Sequence, residues 1–416
     1  MNLSSLNLAL ASCVLAWVSL ASASSHVTSH IVPRQAKSAI YGVNLGGWLL
    51  LEPWITPSVF EAGGSSAVDE YTLSKNLGSN AKTRLSKHWS TFITADDFKQ
   101  IAAAGLTHVR IPIGYWAVSP IKGEPYVQGQ VEYLDKALVW AKNSNLKVVI
   151  DLHGAPGSQN GFDNSGRRGP INWQKGDTVK QTLAAIRALA NRYAKRTDVV
   201  NSIELVNEPF VPGGVQLDPL RKFYKDGYAI VRGVDSTVGV AISDGFQPPR
   251  SWNGFMAPKD FKNVHLDTHH YQVFDDAFKT FTIDQHVKLA CSLPKDRLSG
   301  VDKPLIVGEW SGAMTDCAKY LNGRGRGARF DNSYPSGKPS GACGARSTGS
   351  SSKLSAQQKK DTRRYIEAQL DAFKVGAGWF FWTWKTEGAP GWDMRDLLKQ
   401  ELFPQPFSAR KYGGCK

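Results

Sequence analysis

VVNSIELVNEP, residues 199–209, is an apolar, β-rich run that closes on an amide and an acid, Asn207 and Glu208. A second run, KPLIVGEWS at 303–311, closes on Glu309, 101 positions further on. A barrel of parallel strands gathers its reactive groups at the C-terminal ends of the strands. Two acids at two such ends can therefore meet across one mouth.

Six more segments read in the same way: IYGVNLGGW (40–48), GLTHVRIPI (105–113), NLKVVIDLHG (145–154), STVGVAISDGF (236–246), NVHLDTHHY (263–271) and GAGWFFWTWKT (376–386). Their Val, Ile and Leu content suits parallel strands buried on both faces. Helical patterns lie between them. TADDFKQIAAAG opens on Thr94 as an N-cap, with acids in the first turn. YLDKALVWAKNS, VKQTLAAIRALANRYAKR and LRKFYKDGYAIVRGV place apolar residues at every third or fourth position. IDQHVKLACSL is weaker, and SAQQKKDTRRYIEAQLDAFKVG runs to Gly376. Residues 49–93 read as a long, poorly patterned connection. Strand alternating with helix eight times predicts an α/β protein, a (β/α)8 barrel of the TIM type. A doubly wound open sheet would want G-x-G-x-x-G after the first strand, and VNLGGWLL fails that spacing. No composition break divides the chain, and no internal repeat is visible.

The 416 residues are 42% hydrophobic with 13 Trp, 13 Tyr and 18 Phe, enough for a large core and for aromatics facing a cleft. Residues 1–23 read as a cleaved export signal ending in Ala21-Ser22-Ala23, which leaves 24–416 as a single catalytic domain. No later stretch is long and apolar enough to span a bilayer, so an exported protein with no membrane partner is expected. Cys13 goes with the signal. Cys291, Cys317, Cys343 and Cys415 suggest two disulfides in an oxidising compartment, with three pairings open. A net charge of +14 would draw the chain to an anionic surface such as a cell wall, or to nucleic acid. The basic residues are scattered rather than gathered on a helix, and no nucleic-acid partner is expected. Part of the excess lies in residues 323–353, a Gly-, Ser- and Arg-rich stretch that reads as a solvated surface insertion.

The strand ends collect Asn44, Glu52, Arg110, His153, Asn207, Glu208, His269, Tyr271, Glu309 and Trp382. Buried without partners, these groups would be costly; lining a cleft, they are useful. One neutral and one ionised carboxyl can cleave a glycosidic bond. Asn207 is placed to bond a sugar 2-OH, and Tyr271 and Arg110 to keep Glu309 charged. Trp382 would lie under the sugar at the cleaved bond. A zinc site is disfavoured because His269 and His270 are adjacent and face opposite ways on a strand. There is no H-E-x-x-H and no G-x-S-x-G, and no cofactor or metal is expected. His108 and His265 read as core groups, and Trp48, Trp54 and Trp384 as packing residues.

The strings GVNLGGWLLLEPWITPSVFE, VRIPIGYWAV, DLHGAPGSQNGFDNSG, LVNEPF, HHYQVF, GEWSGAMTDCAKYLNG and FWTWKTE span nearly the whole chain beyond the signal. With them the chain resembles the secreted fungal exo-β-1,3-glucanases, retaining hydrolases of glycoside hydrolase family 5. The resemblance implies Glu208 as acid/base and Glu309 as nucleophile. It implies Arg110, His153, Asn207, His269, Tyr271 and Trp382 as their companions. Glu52, Asp163, Asn164 and Asn322 would hold the terminal glucose, and Phe162 and Phe274 would clamp the next one. It also implies the pairings Cys291–Cys415 and Cys317–Cys343. The Arg/Gly-rich stretch between Cys317 and Cys343 departs from the family pattern. The implied activity is release of glucose from non-reducing ends of β-1,3-glucan, with retention and some transfer to other sugars. Cleavage of β-1,6-glucan or β-glucosides by the same fold is the alternative, and a non-catalytic wall-binding protein is the rival class. The partner is a β-glucan, the place outside the cell or in its wall, and a monomer the default.

Overall fold

Runs of Val, Ile and Leu with no polar face can only be strands covered on both sides. In the computed structural model, eight of them close into one parallel barrel in chain order. They are β1 (Ile40–Asn44), β2 (His108–Gly114), β3 (Lys147–Gly154), β4 (Val200–Glu204), β5 (Gly239–Ser243), β6 (Val264–His269), β7 (Leu305–Glu309) and β8 (Gly378–Phe381). The structure describes residues 39–334 and 337–415. The expected export signal and Cys13 lie outside the described residues. From Ala39 onward the chain forms one compact unit. Among the described residues, no helix is long and apolar enough to cross a membrane.

The connection at 49–93 is not irregular. It carries α1 (Pro57–Glu61), α2 (Glu70–Leu77) and α3 (Ala81–Phe92), ahead of α4 (Ala95–Ala103). Proline opens α1, where its missing N–H costs nothing. A capping box opens α2, Asp69 accepting from the Thr72 amide while Thr72 Oγ1 accepts from the Asp69 amide. Leu73, Leu77, Leu85 and Trp89 are the buried faces. The remaining helices are α5 (Gln130–Asn143), α6 (Thr178–Tyr193), α7 (Leu217–Arg232), α8 (Ile283–Leu293), α9 (Ala356–Ala372) and α10 (Met394–Lys399). Thr94, Thr282 and Ser355 cap α4, α8 and α9 with boxes of the same kind.

The alternation breaks once. Between β5 and β6 there is no α-helix but a 3-10 turn, Pro249–Trp252. Pro248, Pro249, Gly254 and Pro258 deny that stretch a helix. The buried Trp252 ring fills the gap beside Tyr224 and Phe255.

Inside the barrel, side chains alternate along each strand and stack in layers. Ile40, Val149, Ile306 and Phe380 form an apolar floor. Gly42 admits the Phe380 ring, which a Cβ there would overlap. Two residues up β3 from Val149 comes Asp151, and two further comes His153. A register shift between Thr268 and His269 sets His269 of β6 opposite Glu309 of β7.

Disulfides join Cys291 to Cys415 and Cys317 to Cys343. The basic stretch after Cys317 is more tied down than a solvated insertion. Arg324 is buried and donates to the carbonyls of Phe60, Gly64 and Ala67. Asp316 accepts from the Asn322 amide and from the backbone of Arg329 and Phe330.

Candidate active site

Arg110 organises the mouth. Fully buried on β2, it donates to Glu204 (2.8 Å), Asn207 Oδ1 (2.8 Å), Asn44 Oδ1 (3.0 Å) and Glu309 Oε1 (3.1 Å). Asp151 lies 3.1 Å from its Nη2 and Asp267 3.9 Å from its Nε. One cation thus holds acids from β3, β4, β6 and β7. Asn44 locks β1 in place by donating to the carbonyls of Gly308 and Phe381.

The layer above carries the reactive groups. His153 Nδ1 sits 2.6 Å from Asp151 Oδ2. Burial, with Arg110 nearby, holds this imidazole neutral. Nδ1–H therefore faces Asp151, and Nε2 is left as an acceptor toward Asn207 Nδ2 at 3.4 Å. Trp382 stacks on the His153 ring at 5.4 Å. Glu208 has a left-handed backbone, φ 45°, which turns its side chain off the line of β4 at a cost in strain. Its Oε1 lies 2.7 Å from His269 Nδ1, and its Oε2 accepts from Asn164 Nδ2 at 3.3 Å. Glu309 Oε2 accepts from Tyr271 at 2.8 Å and lies 3.5 Å from His269 Nδ1. One oxygen of Glu208, one oxygen of Glu309 and a ring nitrogen of His269 all lie within 4.8 Å of one another.

The two glutamates do not titrate alike. At Glu309 burial wins, pushing the carboxyl up to about 8; the Glu208 charge adds, while His269, Arg110 and Tyr271 pull back. At Glu208 burial also pushes up. There the hydrogen bond and charge of His269, helped by His153 and Asn164, outweigh it and hold the carboxyl low. His269 is desolvated too, yet Glu309, Asp267 and Glu208 keep it an imidazolium. The Arg110 and Tyr271 bonds expected at Glu309 are present and pull its carboxyl down against the larger effect of burial. Glu208 and Glu309, with His269 between them, titrate as one set rather than as separate acids. The glutamate–histidine trio also has the ligand types of a metal site. Its positive charge is already supplied by Arg110 and the imidazolium, which leaves little for a cation to gain.

Glu52 and Asp163 flank this centre. Glu52 Oε2 accepts from Trp54 Nε1 at 2.9 Å, and Oε1 is buried with no donor among the described residues. Asp163 Oδ2 is in the same condition. Burial raises both carboxyls, Asp163 to about 7. Phe162 and Phe274 stand 39% and 44% exposed, large for phenylalanine. Phe274 packs against Tyr271, and Phe162 against Phe210. Asn322 is different: it donates to Asp316 and Gly327 and accepts from Arg329, so its amide is spent on the loop.

Sequence reasoning missed Asp151, Glu204 and Asp267, the acids around Arg110. Their signal was the strand period: Asp151 and Asp267 stand two residues before His153 and His269, on the same inward face. Trp54, read as packing, fixes Glu52. His108, Trp48 and Trp384 are buried as expected, with Trp48 and Trp384 donating to Trp89 O and Asp97.

Residues 74–325 match the family model of the cellulases, glycosyl hydrolase family 5. The chain is 56% identical over 403 residues to "Probable glucan 1,3-beta-glucosidase A" of Aspergillus niger, covering 95% of this chain and 96% of that relative. It is 57% identical over 387 residues to "Probable glucan 1,3-beta-glucosidase" of Arthroderma benhamiae, covering 92% and 93%. Among solved structures, rutinosidase from Aspergillus niger shares the fold, with a TM-score of 0.70 at 21% identity over 88% of this chain and 98% of that one. A barrel with two glutamates at its mouth, and relatives this similar over this length, place the chain in the cellulase family, glycosyl hydrolase family 5, as a glycosidase.

Proposed function

We propose that the chain is a retaining exo-hydrolase releasing glucose from non-reducing ends of β-1,3-glucan by double displacement. The gap between Glu208 and Glu309 carries the reading. Oxygens within 4.8 Å suit carboxyls about 5–5.5 Å apart, as in retaining enzymes, and leave no room for the interposed water of an inverting one, which needs about 6.5–9.5 Å. The unpaired oxygens of Glu52 and Asp163 support a pocket that ends on a sugar's hydroxyls. The names of the relatives support the β-1,3 linkage.

The ionised Glu309 attacks the anomeric carbon while Glu208 gives its proton to the departing glycosidic oxygen. Glu208, now a carboxylate, takes a proton from water. That water attacks the anomeric carbon and frees Glu309; a sugar hydroxyl in its place gives transfer. The reaction needs the proton shared by the pair to lie on Glu208. His269 touches both carboxyls. It can give its Nδ1 proton to Glu208 and take the one on Glu309, with no change in total charge. Asn207, its Oδ1 held by Arg110, presents an N–H to the 2-OH, and Phe162 and Phe274 clamp the following glucose.

The unit acting is a single domain, residues 24–416, released by cleavage of a signal at 1–23. It works as a monomer outside the cell or in its wall, where its two disulfides are stable. Timed product analysis with anomeric detection on linear β-1,3- and β-1,6-glucans tests the reading. β-Glucose appearing first, from the β-1,3 polymer, is expected. α-Glucose first, or a ladder of oligosaccharides, would refute it, and preference for the β-1,6 polymer would reassign the linkage.

A further inference from the structure

We infer that Asp267 is a positioning residue that keeps His269 charged, and that Gly308 has no side chain in order to admit it. The inference rests on the reading of Glu208 and Glu309 as the reacting pair.

Asp267 is buried on β6, on the same face as His269 and two residues before it. Its Oδ2 lies 3.4 Å from His269 Nε2, and Nε2 has no hydrogen-bond partner among the described residues. The other ring nitrogen faces Glu208 and Glu309. The imidazole is thus held between the catalytic pair on one side and a third carboxylate on the other. Gly308 makes room for that carboxylate: a Cβ at 308 would overlap both oxygens of Asp267. Gly308 has no positive φ that would demand glycine for its backbone. Close approach of a neighbour's charge is what requires the small residue.

The groups facing His269 come from every neighbouring strand. Glu208 stands beyond β4, Glu309 on β7, and Asp267 on its own strand. Asp151 and His153 of β3 and Asp244 beyond β5 also feel its charge. Arg110 of β2 reaches Asp267 at 3.9 Å and is the opposing cation. Of the three acids nearest the ring, Glu208 and Glu309 change protonation during the reaction. Asp267 takes no part in it, so it is the constant partner that holds the imidazolium through the cycle. The imidazolium in turn holds the Glu208 carboxyl down. Without Asp267, the ring loses its proton at lower pH and Glu208 rises toward an ordinary carboxylic acid.

The test uses the full chain, with Asp267→Asn, close to isosteric, and Gly308→Ala, which pushes the carboxylate away. Histidine 15N-labelled protein is titrated by NMR, with His269 assigned from the signal absent in His269→Gln. The pH profile of kcat/KM on laminari-oligosaccharides is measured beside it. In both variants the His269 pKa is expected to fall, and the acid limb of the profile to rise by about half a unit or more. A His269 titration and an acid limb that both overlay the wild type, with only kcat reduced, would overturn the proposal and leave Asp267 a packing role. The NMR arm needs no turnover. If wild-type protein releases no glucose from β-1,3-glucan while His269 still shifts in Asp267→Asn, the functional reading fails and this one stands.

Discussion

The floor and the mouth of the barrel meet on β3, where Val149 and Asp151 stand two residues apart, and are opposite in kind. The floor is Ile40, Val149, Ile306 and Phe380, with no polar side chain among them. The next layer is Arg110 among Asp151, Glu204 and Asp267, and the layer above holds Glu208, His269 and Glu309. Burying apolar surface stabilises; burying charges seldom gains on balance, even when they are paired. The floor therefore carries stability, and the mouth spends some of it to hold protons where the chemistry wants them.

The sharpest way to break that division is Glu309→Gln. Turnover should fall by about four orders of magnitude or more, while calorimetric binding of laminari-oligosaccharides and the thermal midpoint hold. Full activity would remove Glu309 from the nucleophile's place. Arg110→Met comes next. It leaves Asp151, Glu204 and Asp267 buried without their cation, and chemical denaturation should show a loss of roughly 3–5 kcal/mol along with the activity. A stable, merely slower variant would mean the mouth contributes less strain than argued. Gly42→Ala acts on the floor alone, where the new methyl meets the Phe380 ring. It should cost about 1–3 kcal/mol, with kcat per folded molecule unchanged. A change in kcat would show the layers to be coupled.

The smallest effect is in pH. Activity requires one proton shared by the pair, so kcat/KM should fall as pH rises through about 8, when Glu309 also ionises. It should fall on the acid side only below the ordinary glutamate range, because Glu208 is held low. These limbs belong to the pair.

The strands were legible because parallel strands covered on both faces leave unbroken apolar runs. The early helices were not. α1 and α2 are five and eight residues long, too short for a 3.6-residue period to stand out, and their ends are set by Pro57 and Asp69. The missing helix between β5 and β6 was written in its prolines, and the regular alternation around it hid the exception. Glu208 and Glu309 were visible as acids at strand ends. That Glu309 faces His269 depends on a register shift, which no alternation pattern encodes. The order of their pKa values was equally hidden, since desolvation is a property of the assembled site. Asp267 and Gly308 could have been paired from the strand period, but only once β6 and β7 were known to be neighbours.

The Cys291–Cys415 bridge has a practical consequence. It spans 124 positions and fastens the C-terminal tail to the end of α8. Closing so long a segment restricts the unfolded chain strongly, by roughly 4–5 kcal/mol in the entropic account. Recombinant protein made in a reducing bacterial cytosol would lack that restraint, and a preparation from there should melt early. Yield and heat tolerance should depend on the redox state of the host compartment before they depend on any residue near the substrate.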